Sequence, residues 1–231
     1  MRHWTQLGVA PIPGSRQTLS LYQSKDDFHI IISGGHELMN TRKHASEDAL
    51  GRLPCEKIPE KDCPRVLIGG LGMGFTLAAV LNAVGARAEV TVAELIPEVV
   101  EWNRGVLGER SGRPLDDPRS RVYVGDVADL LRAADVAYDV IVLDVDNGPE
   151  GLSKQGNNWL YSERGISAAR KVLSSTGIVG YWSAAADNAF RQRLQHCGFR
   201  VEEIQVYAYG NKGARHTLWL AHQQLKQRSG K

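Results

Sequence analysis

The sequence predicts an α/β fold: a mainly parallel, seven-stranded sheet with helices on both faces and a small β-hairpin ahead of it. Three observations carry this. From residue 65 onward, short apolar runs alternate with segments of helical period. The first of those runs ends in a cluster of glycines. An acidic residue follows each of the next three runs.

The elements follow in order. Residues 19–23 and 28–32 alternate like a hairpin, with Lys25-Asp26-Asp27 between them and Gly34-Gly35 turning the chain afterwards. Residues 45–53 have helical character. The stretch 54–64 holds three prolines and several charges and reads as a linker. Residues 65–69 form a buried strand, and 75–84 a helix closed by Gly85. A second strand at 89–93 leads to a helix over 97–107 with Pro97 in its first turn. A third strand (121–124), a helix (127–134) and a fourth strand (138–143) come next. A polar loop then runs to Trp159, and Ser162 caps a helix ending near residue 173. A strand at 177–182, a helix at 187–196 and a closing strand pair at 200–207 and 217–221 complete the chain. Right-handed crossovers between parallel strands place the helices on both faces. The expected division is residues 1–55 as an N-terminal hairpin extension and 56–231 as a Rossmann-like ligand-binding domain.

Composition narrows the function. A chain of 231 residues can bury one sizeable core. A net charge of +2 with both signs interspersed argues against a dedicated nucleic-acid binder. No apolar run approaches the roughly 20 residues of a membrane span, and the start lacks a signal-peptide core. Cys55, Cys63 and Cys197 form no CxxC pair and have no histidine pattern beside them, so no metal is expected. Three reduced thiols suit a cytoplasmic protein.

Ligands in such sheets bind outside the carboxyl ends of the strands. Gly69 and Gly70 end the first strand, and Gly70, Gly72 and Gly74 make a GxGxG turn whose bare backbone can approach a ligand. Glu94 follows the second strand, where a carboxylate can accept both hydroxyls of a ribose; the alternative is an ordinary strand-end surface acid. Asp126, with Val127 after it, follows the third strand and can face an adenine amino group, cap the next helix, or do both. Asp144 follows the fourth strand at the mouth of the same cleft. Together they predict an adenosyl ligand, S-adenosylmethionine or a relative of it, on a class I methyltransferase type of fold. NAD is the rival, but it wants a GxGxxG spacing that this chain lacks.

These residues resemble the spermidine synthase family, in particular its short bacterial members, over about residues 21–221. The resemblance rests on Leu21-Tyr-Gln-Ser24, Val66-Leu-Ile-Gly-Gly70, Glu94-Leu-Ile-Pro-Glu-Val-Val100, Asp117-Pro-Arg119, Val124-Gly-Asp126, Asp139-Val-Ile-Val-Leu-Asp144, Gly148-Pro149 and Leu160-Tyr-Ser162. It implies transfer of an aminopropyl group from decarboxylated S-adenosylmethionine to an amine, and a homodimer. Three departures stand out. Gly72 occupies the place of an aspartate that holds the donor's amino group. His44-Ala-Ser-Glu-Asp48 replaces a Tyr-His-Glu stretch used for polyamine binding. Asn147 stands where the second loop aspartate, the base, belongs, unless a one-residue gap gives that part to Asp146.

A sulfonium donor brings its own leaving group, so the enzyme chiefly aligns the reactants. An amine acceptor must also lose a proton. Asp144 and Asp146 are the candidate acids for that chemistry, with Asn147 as an acceptor contact. Trp159 and Tyr161 read as packing residues or as pocket walls. Tyr207, Tyr209, Lys212 and His216 read as solvated turn residues, with acceptor contacts as the alternative. The expected function is a spermidine-synthase-like transferase on a small amine, with ordinary spermidine synthesis weak. The alternatives are a small-molecule methyltransferase and a non-catalytic adenosyl-binding protein.

Overall fold

The computed structural model describes residues 4–133, 137–145, 159–210 and 212–224. The main sheet has seven strands in the order β10-β11-β9-β8-β5-β6-β7. In chain order these are β5 (Arg65–Gly69), β6 (Glu89–Glu94), β7 (Ser120–Val124), β8 (Tyr138–Leu143), β9 (Leu173–Ser183), β10 (Phe199–Tyr209) and β11 (Lys212–Gln223). β7, β6, β5, β8 and β9 run parallel. β11 is inserted antiparallel between β9 and β10.

Parallel strands covered on both faces have no polar side, and β5 shows it: Val66, Leu67 and Ile68 are all fully buried. Their alternation divides them between two cores. Val66 and Ile68 join the layer with Leu50, Leu77, Val80, Val99 and Val100 from α1 (Ala45–Lys57), α2 (Phe75–Ala83) and α3 (Pro97–Arg104). Leu67 joins Leu131, Ile166 and Phe190 from α4 (Val127–Ala133), α5 (Glu163–Lys171) and α6 (Asn188–His196). The expected cap Ser162 accepts at Oγ from Gly165 N, and Asp187, read from sequence as the first helical residue, caps α6 instead, with Oδ1 accepting from Phe190 N.

The N-terminal part is larger than the hairpin expected from sequence. It is a four-stranded antiparallel sheet, β1 (Thr5–Pro11), β2 (Thr18–Ser24), β3 (Asp27–Ile32) and β4 (His36–Asn40), paired in that order. β1 and β4 escape a periodicity search because they are edge strands with little buried surface: Ala10 alone is buried in β1 and Asn40 alone in β4.

The linker expected at 54–64 is a second difference. Helix α1 continues through Pro54 to Lys57. Proline inside a helix forfeits a hydrogen bond, but Pro54 is buried over β9 at Gly180, whose missing side chain makes room for the ring. Gly51 lets α1 lie directly on α2: a Cβ there would meet the Thr76 carbonyl and stand 2.9 Å from Ala79 Cβ. Tertiary packing thus overrides local propensity and brings the first turn of α1 to the carboxyl ends of the strands. Among the described residues no helix is long and apolar enough to cross a membrane.

Candidate active site

β5 lies between β6 and β8: the chain runs from β5 outward through β6 and β7 on one side, then crosses back to β8 on the other, so the crevice of the sheet opens where β5 and β8 end. Main-chain bonds carry the pairing just past the strands: Asp144 N donates to Gly69 O at 2.9 Å, Gly70 N to Ala93 O at 2.8 Å and Gly125 N to Glu94 O at 2.8 Å. The glycine turn therefore sits against both neighbours. Gly70 has φ +91°, and a Cβ on it would run into the Asp144 carbonyl, so no other residue fits. Gly74, at φ +84°, starts α2. Asn103 of α3 braces the turn by donating to Gly72 O at 2.8 Å.

Glu94 ends β6 and is 7% exposed, which rules out the surface-acid alternative. Its Oε2 accepts from Leu71 N and its Oε1 from Ile96 N, both at 2.9 Å. Burial pushes its pKa up, opposed by the surrounding main-chain N–H groups. The carboxylate clamps the glycine turn to the end of the second strand. Asp126 is exposed and caps α4, with Oδ1 accepting from Ala128 N at 2.8 Å. Val127 is 5% exposed and packs beneath Gly69, so its side chain belongs to the core.

Asp144 is half-buried, and its Oδ2 accepts from Thr76 Oγ1 of α2 at 2.6 Å. Its pKa is raised by burial against that hydrogen bond. A second acid joins it. Glu47, from the first turn of α1, has its pKa pushed up to about 7 by burial and by the Asp144 charge, against a hydrogen bond from Ser46. Two acids so coupled titrate as a pair. Ser46 Oγ donates to Glu47 Oε2 at 2.6 Å, and His216 Nδ1 lies 2.9 Å from Ser46 Oγ. His216 is thus half-buried and engaged rather than a solvated turn residue as the sequence suggested. Burial lowers its pKa. Tyr209 is exposed, Lys212 is exposed, and Tyr207 stacks with Arg215.

Tyr161 is 3% exposed, packs with Tyr181 and Phe190, and donates to Val145 O at 3.1 Å, which ties down the chain just after Asp144. Trp159 lies under the Arg132 guanidinium at 4.2 Å. Asp146 and Asn147 lie outside the described residues, with Gly148 and Pro149. A Cβ at Gly72 would stand 3.2 Å from Met39 Sδ, so a thioether from β4 fills the space beside this position. Sequence reasoning noted Glu47 only as part of a departure and did not single out Ser46, Thr76 or Met39. The available signal was spacing: Glu47 precedes Leu50, Gly51 and Pro54 by three, four and seven residues, which puts it on the buried face of α1.

The sheet with its reversed strand and the glycine turn at its switch point define a Rossmann-like protein of the class I methyltransferase type. A crystal structure of spermidine synthase in complex with the transition-state analogue AdoDATO shares the fold with a TM-score of 0.73 at 18% identity, covering 96% of this chain and 73% of that one. The spermine/spermidine synthase domain matches residues 43–191, and the chain belongs to that family. Polyamine aminopropyltransferase 1 of Streptomyces coelicolor is 32% identical over 209 residues, 83% of this chain and 36% of that protein. Putrescine N-methyltransferase 1 of Nicotiana tabacum is 30% identical over 128 residues, 55% of this chain and 32% of that protein. The chain spans about a third of the length of the curated relatives it matches.

Two stability predictions follow from these carboxylates. Glu94→Ala strands two buried main-chain donors and should cost about 1–3 kcal/mol in urea unfolding, where the surface-acid alternative requires no change. Glu47 keeps its proton in the folded protein between about pH 4.5 and 7, where the unfolded chain has lost it. The folded state then binds more protons, and stability falls as pH rises through that window. Glu47→Gln removes this loss. It should raise the melting temperature by roughly 2–6 °C at about pH 8 and leave it nearly unchanged at about pH 4.

Proposed function

We propose that the chain is a transferase that takes a group from an adenosyl sulfonium, S-adenosylmethionine or its decarboxylated form, and places it on a small amine. The observation that carries this reading is the Glu94-clamped glycine turn facing Asp144 across the switch point, in a member of the spermine/spermidine synthase family. In this reading Gly69, Gly70, Gly72 and Gly74 present bare main chain to the donor. Glu94 also accepts from the ribose diol through lone pairs its main-chain bonds leave open, and Asp126, with Val127 beside it, borders the adenine. Asp144 orients the reacting groups, and Asp146 and Asn147 serve the acceptor in the loop that follows. The sulfonium supplies the leaving group, so rate comes from alignment and from removal of the acceptor's proton.

Ordinary spermidine synthesis is expected to be weak. At Gly72 the decarboxylated donor's ammonium has no carboxylate, and Met39 offers it only a thioether. The same observation favours a second reading, methyl transfer from the carboxylated donor, which also fits the similarity to a putrescine N-methyltransferase. Product analysis separates them. Incubation with each donor and a panel of small amines should release methylthioadenosine for aminopropyl transfer or S-adenosylhomocysteine for methyl transfer. Release of neither with any amine would leave a binding protein. Putrescine with the decarboxylated donor should give a kcat/KM below about 10⁴ M⁻¹s⁻¹, and efficient spermidine formation would overturn the expectation of weak synthesis.

A further inference from the structure

Asp144 and Glu47 meet at the crevice from two different elements. Thr76 Oγ1 links them: it donates to Asp144 Oδ2 at 2.6 Å and lies 3.5 Å from the Glu47 carbonyl. Each acid has one oxygen held by a hydroxyl. The Glu47 carboxyl also receives a main-chain hydrogen bond from its own N–H. No lysine or arginine among the described residues contributes to the electrostatics of either. The groups around Glu47 are His44 and Asp48 on α1, bonded to each other at 2.8 Å, Asp144 beyond β8, and His216 on β11 with the Lys43 charge near it. A half-buried acid pair offset only by the His44 imidazole, whose own pKa is raised by Asp48 and Glu47, favours a shared proton or a further cation from outside.

A supporting arm fixes Glu47. The single Ser46 hydroxyl proton goes to Glu47 Oε2, so His216 donates from Nδ1 to Ser46 Oγ. His216 is held in turn by the edge of Trp182, ring centroids 4.7 Å apart at 66°. Trp182 is 9% exposed, and its Nε1–H has no acceptor among the described residues. A helix side chain, a hydroxyl and an imidazole from the last strand thus cooperate to aim one carboxylate.

We propose that Glu47 is a catalytic residue of this site: paired with Asp144, it receives the primary ammonium of the acceptor and takes its proton. This rests on the transferase reading above. The N–H bond of the ammonium breaks, and the proton goes to Glu47 Oε1. The freed nitrogen lone pair forms the bond to the carbon on sulfur. The C–S bond breaks with its electron pair passing to sulfur, so the positive charge moves from sulfonium to the product nitrogen. Glu47 then loses its proton to solvent. Ser46 and His216 are positioning residues.

Proton-linked calorimetry tests this. Putrescine is titrated into the protein, with and without saturating methylthioadenosine, in buffers of different ionisation enthalpy. With one proton shared by the pair, binding an ammonium should expel about half to one proton per putrescine near pH 6.5. Glu47→Gln should release almost none and bind putrescine at least about tenfold more weakly, a loss of about 1.4 kcal/mol or more. It should bind methylthioadenosine like the wild type. Ser46→Ala, which removes the bond that lowers the Glu47 pKa, should move the pH midpoint of proton release upward, a shift that loss of packing alone would not produce. Wild-type putrescine affinity and proton release in Glu47→Gln would overturn the proposal, as would wild-type protein that binds methylthioadenosine but no putrescine. Failure of methylthioadenosine to bind counts against the transferase reading and leaves the putrescine arm to decide on Glu47.

Discussion

Glu94 has both carboxylate oxygens engaged by main-chain N–H groups, one from the glycine turn and one from the start of the next helix. The rest of the site depends on that double grip. A turn with three glycines at positive φ has little conformational preference of its own. Held by Glu94 on one side, by Asn103 beneath and by the Asp144 main chain on the other, it keeps one shape. Burial makes the charge on Glu94 costly, and charge-assisted bonds to N–H groups offset that cost. One side chain can then stabilise the empty crevice and still have acceptor capacity for a ligand.

The opposite wall follows another logic. Asp144 and Glu47 are acids on elements far apart in sequence, and the His44 imidazole partly offsets the charge of Glu47. α1 is the unexpected part of that wall. Its Gly51 contact with α2 and its Pro54 contact with β9 bring residues 46 and 47 over the strand ends.

Much of this was legible in the sequence. β5 and β8 are read to the residue, and the other central strands to within a few, because continuous apolar runs between glycines have few other interpretations. Glu94 and Asp144 were legible from their places after strands. Other features depend on distant packing. Pro54 reads as a helix breaker unless Gly180 is known to lie beneath it. His216 reads as a turn residue until Ser46, 170 residues away, is placed beside it. Glu47 was half legible, since a carboxylate on an apolar helical stripe has to be accounted for. β1 and β4 left almost no trace because edge strands of a small sheet bury little.

The central claim is that the clamped glycine turn is an adenosyl pocket. Native mass spectrometry tests it most directly, on protein incubated with an equimolar mixture of S-adenosylmethionine, its decarboxylated form, methylthioadenosine and NAD. The account predicts a one-to-one complex with an adenosyl sulfur compound that Glu94→Ala weakens. A complex with NAD, or none with any of the four, would contradict it.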